Sequence, residues 1–542
     1  MKDLPPLLSH HADHDQPSEM PLNRMEVGSD GSLTRTITAP RPRPLDWLRD
    51  RSTIGWSAMG LAALILFCIA VQMAAPLASI TRHISLDNNE GWNAYWSTRA
   101  LAGQPIYTGA DSPLTNNYTP LSFYIVGWLG RAIGDLILAG RLLSLAGLLG
   151  SALLVGAIAA RVGRPTRWAW AGGATFLLVA VTMAYRYIAA DDPQWMAEAV
   201  QLVGLMILMA RGQAAPSRER VIAACLILLL AGLIKHNQVA LPLAITIGLA
   251  LHDRRTLTTW LVTASLGLAA ILTALHAIYG PAFIDQVAFH QRVLQVRYFI
   301  PALISLSFLL PASVIVTVYL PRLRGWKDDF RLTILAWFAI LAVVLGIFER
   351  FGSGVSQNAH FDAVIAISIL LGIVLSSFSR QDLSTVTRLA LMTLVVAPAA
   401  GKDLVNVPRR AADWRELNRT EEAWREAIRF LAERPGPIAC EMPALCYWSG
   451  KPYTLDFSNY GQKLRRLGDP WDLENRIQER QFAALVITRD DRYNKGDARL
   501  PDRFYKLINA NYRVERVLPD NLYIMVPQTK ARQPVPPAFG LM

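Results

Sequence analysis

The chain has 542 residues, 52% of them hydrophobic, and a mean hydropathy of +0.26, which excludes an ordinary soluble domain and places most of it in a membrane. Residues 1–52 carry 7 basic and 8 acidic side chains, 53–400 carry 23 and 15, and 401–542 carry 24 and 19. A charge-poor body is thus followed by a segment of water-soluble composition, and the surplus positive charge is a topology signal that leaves no case for a nucleic-acid partner.

Residues 1–52 are rich in Pro, Asp and His, lack an apolar period and end in Arg41, Arg43, Arg49 and Arg51; they read as a disordered cytoplasmic tail. The apolar run 54–76 is too long and too far from the start for a signal-peptide core, and reads as an uncleaved signal anchor. Ten further apolar runs follow at 136–160, 168–188, 194–211, 220–234, 238–252, 257–279, 298–320, 332–348, 361–379 and 386–400, each near the roughly 20 residues that cross a bilayer. The segment 118–134 is apolar but short and broken by Gly and Pro, and parity decides its place. If it spans, the loops with Arg161/Arg164/Arg167 and Arg211/Arg218/Arg220 face outward, against the positive-inside rule; if it lies along the interface, both face the cytoplasm.

With the second choice the cytoplasmic side holds 14 basic and 5 acidic residues and the exoplasmic side 9 and 10. The predicted fold class is mainly α: a polytopic helical membrane body of about eleven spans over 53–400, N-terminus cytoplasmic, and a small exoplasmic α/β domain over 401–542. In that domain a helix is predicted over 413–433, strands over 437–441, 453–457, 482–488, 512–518 and 522–526, and helical stretches near 471–480 and 501–510, with Pro519-Asp520-Asn521 as a hairpin turn. It has no nucleophile elbow or phosphate loop and reads as a packing or acceptor-docking unit. Cys440 and Cys446 lie where disulfides persist and form either a bridge or two buried thiols, while Cys68 and Cys225 read as small core residues.

The outer face collects the reactive groups. The first loop holds Asp87-Asn88-Asn89-Glu90-Gly91-Trp92, the second Arg186 and Asp191-Asp192-Pro193, the third Lys235-His236-Asn237, the fourth Asp285, His290, Arg292 and Arg297, and a fifth stretch Glu349, Arg350, Gln357, Asn358 and His360. Structural readings compete: Asp87 and Glu90 have the spacing of a helix cap with its return bond, Asp191-Asp192-Pro193 that of a span cap, and Lys235 is placed to snorkel. Carboxylates and cations gathered on one face nevertheless suit transfer of a sugar from a polyprenyl phosphate. Cations hold the leaving phosphate and a carboxylate takes the acceptor's proton, with Lys235, Arg186, Arg297 and His236 as candidates for the first role, Asp87, Glu90, Asp191 and Asp192 for the second, and Tyr118, Trp92 and His360 as sugar or acceptor contacts. A single displacement inverts the anomeric centre.

At these residues the chain resembles the GT-C superfamily of polytopic glycosyltransferases, especially bacterial members akin to glycosyltransferase family 39 and the lipid A aminoarabinose transferases. The resemblance rests on Asp87-Asn-Asn-Glu90-Gly, Gly103-Gln-Pro-Ile-Tyr107, Asn117-Tyr118-Thr-Pro120-Leu121, Gly140-Arg141-Leu-Leu-Ser, Asp191-Asp192 and Lys235, taken in order. It implies that Asp87, with Glu90 as companion, is the acidic residue of the first outer loop, and that Asp191 or Asp192 matches the second. Two asparagines separate the first-loop carboxylates, which many members have adjacent, and Thr119-Pro120 replaces a usual double proline. The resemblance implies a polyprenyl-phosphate-sugar donor, an envelope glycan, lipopolysaccharide or protein acceptor, and an inner-membrane location with the carboxy-terminal domain periplasmic. Some members use Mg²⁺ or Mn²⁺ and others none, so metal is left open. The rival readings are a lipid or solute transporter, which should show paired inverted repeats and midplane charges, and a polymerase or ligase of lipid-linked glycans.

Overall fold

Long apolar runs fold as helices because only then is every backbone N–H and C=O bonded within the segment in a medium without water. The computed structural model describes residues 24–27, 33–36, 53–209, 216–290, 292–488 and 499–528, and the chain divides into two units, Met1–Met59 and Gly60–Met542. In the first, β1 (Arg24–Val27) and β2 (Leu33–Thr36) pair antiparallel; the rest of the tail expected over 1–52 lies outside the described residues.

Helix α1 (Thr53–Ala78) precedes α2 (Asn89–Leu101), α3 (Leu121–Ile133) and α4 (Leu136–Val162). Then come α5 (Arg167–Met183), α6 (Gln194–Leu208), α7 (Arg218–Ile234), α8 (Ala240–His252) and α9 (Arg254–Tyr279). After the short α10 (Pro281–Val287), α11 (Phe299–Leu306) and α12 (Leu310–Tyr319) form one apolar passage, followed by α13 (Phe330–Glu349), α14 (Phe361–Ser377) and α15 (Thr385–Ala432). Each of the eleven apolar runs is therefore mainly helical over its described residues, and among the described residues seven passages are long and apolar enough to cross a membrane. Helix α3, expected along the interface, has 13 residues, as has α8, so length alone does not separate the two.

The chain is a multi-pass membrane protein by its surface as well as its length. Helix α9 turns Leu266 and Ile278 outward, 68% and 67% exposed, where lipid and not water is the favourable neighbour. Helix α14 is enclosed on all sides, as befits a helix apolar all round.

Helix α15 crosses residue 400, where the composition changes. It runs unbroken for 48 residues from the apolar run into the polar one, because its buried Asp403 accepts from Gln72 Nε2 at 2.6 Å and Thr182 Oγ1 at 2.7 Å and Arg410 donates to Gln72 Oε1 at 3.0 Å. Beyond it β3 (Ile438–Cys440), β4 (Ala484–Thr488), β5 (Tyr512–Leu518) and β6 (Leu522–Pro527) form a sheet of order β3-β4-β6-β5, with β3 and β4 parallel and the other pairs antiparallel. The turn at Pro519–Asn521 closes the β5–β6 hairpin with Asn521 at positive φ. Strand alternation gives the sheet two apolar faces. Ile438, Cys440, Ala484, Val486, Ile524 and Val526 pack with Tyr95, Ala94 and Trp424, whereas Ala439, Leu485, Ile487 and Met525 pack against the helices α17 (Phe457–Arg466), α18 (Leu473–Gln478) and α19 (Asp502–Asn511).

The strand expected over 453–457 is instead an irregular extended segment. Its bonds go to the loop between α1 and α3: Asp456 N donates to Pro113 O at 3.1 Å and the Asp456 carboxylate accepts from Trp92 Nε1 at 3.0 Å, while just ahead of the segment Tyr95 donates to Lys451 O at 2.5 Å. Cys440 and Cys446 are bridged, tying strand β3 to the short helix α16 (Pro443–Trp448). That helix lies directly on α2: a Cβ at Gly91 would stand 2.0 Å from Ala444 N. Gly91→Val is therefore expected to destabilise the protein by about 3 kcal/mol or more through overpacking against backbone. The checks are the melting temperature in detergent and earlier tryptic release of the carboxy-terminal segment; an unchanged melting temperature would count against this seating.

Candidate active site

The loop that holds Asp87 and Glu90 is built around a buried ion pair. Glu90, in the first turn of α2, is fully buried, and Arg141 of α4 meets it through Nε at 2.7 Å and Nη2 at 2.9 Å. Arg141 also donates from Nη1 to the carbonyls of Ser79, Ile80 and Arg82 at 2.8–2.9 Å and from Nη2 to Ile84 O at 2.5 Å. Glu90 in turn accepts from Leu86 N at 2.7 Å and Asp191 N at 3.2 Å. The return bond of a capping box is thus present but reaches Leu86, while Asn88 is the capping position and Asp87 accepts from Asn89 N at 3.0 Å.

The second loop is drawn onto the same core. Asp191 is buried with Oδ2 lacking a hydrogen-bond partner among the described residues, and a Cβ at Gly140 would stand 1.8 Å from its Oδ1, so a glycine is what lets the carboxylate approach α4. Burial first, and then the charges of Glu90 and Asp192, hold Asp191 well above the usual carboxylate range. Asp192 accepts from Gln194 N at 2.9 Å just ahead of α6, whose capping position is Pro193 and not an aspartate. Its other oxygen accepts from Asn89 Nδ2 at 3.0 Å, joining the two loops.

Lys235 completes the constellation. It follows the last residue of α7, is 4% exposed, and stands 3.8 Å from Asp192 Oδ1, close enough to attract but too far for a hydrogen bond. Its Nζ has no hydrogen-bond partner among the described residues and lies 3.2 Å from the centre of the Tyr118 ring. Thr119 Oγ1 donates to Gly232 O at 3.0 Å, which fixes the Tyr118 strip against α7. Desolvation, with the Arg292 charge adding to it, pulls Lys235 down to about 8. Asp87 is half-buried, and burial lifts it to about 6 although Asn89 N and the nearby Arg186 charge oppose the shift.

The remaining candidates are placed differently. Arg186 is exposed on the 3-10 turn Tyr185–Tyr187, within the field of Asp87. His236 is adjacent to Lys235, and desolvation together with Lys235 and Arg292 pushes it down to about 3, so it is neutral at physiological pH. Trp92 stacks edge-on to Tyr118 at 4.8 Å and donates to Asp456, which makes it a strut under Tyr118. His360 is fully buried against Gly346 of α13. Arg297 lies on the exposed turn Val296–Tyr298 with its guanidinium over the Tyr298 ring. The fourth-loop arginine whose charge reaches Lys235, His236 and Tyr118 is Arg292. Among the described residues no group of three or more His, Cys, Asp and Glu side chains is gathered to hold a metal ion.

Sequence reading did not single out the polar seam inside the helices next to this site. Glu198 of α6 accepts from Gln194 at 2.9 Å and Gln238 at 3.2 Å, and Gln201 bridges it to Asp362 of α14. Its signal was present, since carboxylates inside apolar runs are costly unless partnered.

No protein-family model matches the sequence, and no curated protein matches it. In three dimensions the chain is similar to the crystal structure of ArnT from Cupriavidus metallidurans bound to undecaprenyl phosphate, with a TM-score of 0.57 and 15% identity over 89% of this chain and 100% of that one. It is also similar to the Archaeoglobus fulgidus oligosaccharyltransferase tethered with an acceptor peptide, TM-score 0.52, 10% identity, 89% of this chain and 75% of that one. A third match is AglB of the same organism in complex with an inhibitory peptide and a dolichol-phosphate, at 0.51, 11%, 87% and 74%. The chain therefore shares its fold with these proteins over most of its length.

Two buried cations here should respond oppositely to neutral replacement. Arg141→Met strands Glu90 and is expected to cost about 3–5 kcal/mol, whereas Lys235→Met removes a charge with no hydrogen bond to lose and should leave stability equal or higher. Thermal unfolding of the two variants beside wild type is the check, and comparable losses in both would contradict the assignment of structural weight to Arg141 alone.

Proposed function

We propose that the protein is a membrane glycosyltransferase that moves a sugar from a polyprenyl-phosphate donor to an envelope acceptor at the exoplasmic face of the inner membrane. The observation that carries the reading is Lys235: a buried cation without a hydrogen-bond partner among the described residues, over Tyr118 and beside Asp192, in a fold similar to that of proteins solved with undecaprenyl phosphate and dolichol-phosphate. A buried ammonium without a hydrogen-bond partner among the described residues is a ready seat for a phosphate oxygen.

In the proposed reaction Lys235, with Arg292, holds the donor phosphate. The acceptor hydroxyl gives its proton to the Asp87 carboxylate as its oxygen bonds to the anomeric carbon. The bond from that carbon to the phosphate oxygen breaks with its electron pair, and polyprenyl phosphate leaves against Lys235. One displacement inverts the centre. Asp87 is preferred as base because it retains solvent access, whereas Glu90 is consumed by Arg141, and Asp192 by Gln194 and Asn89. Glu90, Asp191 and Asp192 then position the loops, and Arg297 and His360 have no part in the proposed chemistry. The proposal assigns the phosphate to protein cations and routes no step through Mg²⁺ or Mn²⁺.

Asp87→Asn keeps the shape of the side chain and should lower turnover at least about a hundredfold with melting temperature unchanged. The assay is sugar transfer from synthetic polyprenyl-phosphate donors in proteoliposomes, with mass spectrometry of envelope glycans in a strain lacking the protein to name sugar and acceptor. Full turnover by the asparagine variant would end the base assignment, and lipid movement without a glycosidic product would favour the transporter.

The pH profile follows from the same residues. Asp87 must be ionised, so the rate should rise as pH rises through about 6, and Lys235 must be protonated, so donor use should decline as pH rises through about 8. Lys235→Arg should move only the alkaline limb upward; a limb unmoved by that change would remove Lys235 from the phosphate.

A further inference from the structure

At the ends of α5 and α14 remote from the acidic loops, a second cavity of about 290 Å³ opens among the junctions α4–α5 and α14–α15. Helix α5 has 17 residues between the two ends, so this cavity lies about 25 Å from the candidate active site at 1.5 Å per residue. Four of its nine lining residues are arginines, Arg164, Arg167, Arg380 and Arg388. None of them forms a salt bridge among the described residues. Asp382, which shares their field, is turned onto Ser379 N and Oγ at 3.3 and 2.7 Å.

The positive-inside rule accounts for arginines on this side but not for their convergence on one concavity. Arg388 is 3% exposed and held by Leu375 O at 2.9 Å, Phe378 O at 2.6 Å and Ser379 O at 3.1 Å through Nε and Nη2. That anchoring leaves Nη1 without an acceptor among the described residues. The capping residue of α5, Thr166, makes no side-chain capping bond and also lines the cavity, so the positive end of a 17-residue helix opens there. Trp168 lies 5.8 Å from both the Arg167 and Arg388 guanidinium carbons, and the flanking Trp170 and Val386 are 48% and 57% exposed. Cations with an apolar flank at a membrane boundary match a phosphate that carries acyl chains.

We infer that this basic cavity binds the phosphate of an anionic phospholipid headgroup from the leaflet opposite the active site. The bound headgroup bridges α4–α5 to α14–α15 by neutralising arginines that otherwise repel one another across the two junctions. The inference stands whatever reaction the other face performs.

The test uses the full chain purified in mild detergent and titrated separately with phosphatidylglycerol, phosphatidylcholine and sodium phosphate at matched ionic strength, read by thermal unfolding and by native mass spectrometry. Phosphatidylglycerol should raise the melting temperature and remain bound in the mass spectrum, phosphatidylcholine should do neither, and Arg164→Gln/Arg380→Gln should weaken phosphatidylglycerol at least tenfold. Both substituted positions are exposed, so the variant keeps its packing; Arg167→Gln, also exposed, should give a smaller loss in the same direction. Equal responses to the two lipids, or unchanged affinity in the double variant, overturn the site. A full shift with sodium phosphate alone overturns the lipid as its occupant.

Discussion

The contact on which the two acidic loops depend is the buried pair between Arg141 and Glu90. A guanidinium out of water is tolerated only if its donors are met, and Arg141 meets them with both Glu90 oxygens and with the carbonyls of Ser79, Ile80, Arg82 and Ile84. Those carbonyls all lie in the chain just beyond α1, whose last residue is Ala78. One side chain therefore gathers the turn that follows α1, aims the first loop and orients α2. Because Glu90 also receives Asp191 N, the second loop is registered against the same point, and the spacing of Asp87 from Asp192 and Lys235 follows.

The same loop is held from the other side by the carboxy-terminal region. Trp92 on Asp456, Tyr95 on Lys451, and Lys463 Nζ on Ala110 and Ser112 carbonyls at 3.1 and 3.0 Å tie it at several points, while the disulfide holds α16 onto Gly91. An acidic loop at a membrane surface would otherwise sample many conformations, and catalytic groups work only when placed within fractions of an ångström. The region read from sequence as a packing or docking unit is joined to the site residues through α2, so its packing role has a direct structural consequence.

The body of the fold was legible because eleven apolar runs separated by arginines leave few alternatives, and the hairpin at Pro519–Asn521 was legible because turn chemistry is local. What was not legible depends on distant partners. A polar stretch after residue 400 reads as a boundary until Gln72 and Thr182 are known to meet Asp403 and let α15 continue. The 453–457 segment has strand-like composition, but its bonds go to Pro113 and Trp92. Arg292 and Arg297 share one irregular loop with no period to distinguish them, and only folding brings the charge of the first to Lys235. Arg141 was quoted in a motif but carried no role, since a lone arginine in an apolar run does not reveal which carboxylate it will meet.

The electrostatics of the site point to an order of events on the proposed reading. Lys235 is weakened as an acid-stable cation by burial and by Arg292, and Asp87 is only modestly above its ordinary range because Arg186 and Asn89 N oppose its burial. A phosphate arriving at Lys235 reverses the first imbalance, since a nearby anion favours the protonated amine. The same anion disfavours charge on Asp87 and makes that carboxylate a stronger base. Donor binding therefore secures the leaving-group cation and sharpens the base in one step, whereas an acceptor arriving first meets a weaker carboxylate and no sugar to attack. On the proposed reading, one buried cation without a hydrogen-bond partner among the described residues and one half-exposed carboxylate form a pair that an anionic donor would complete.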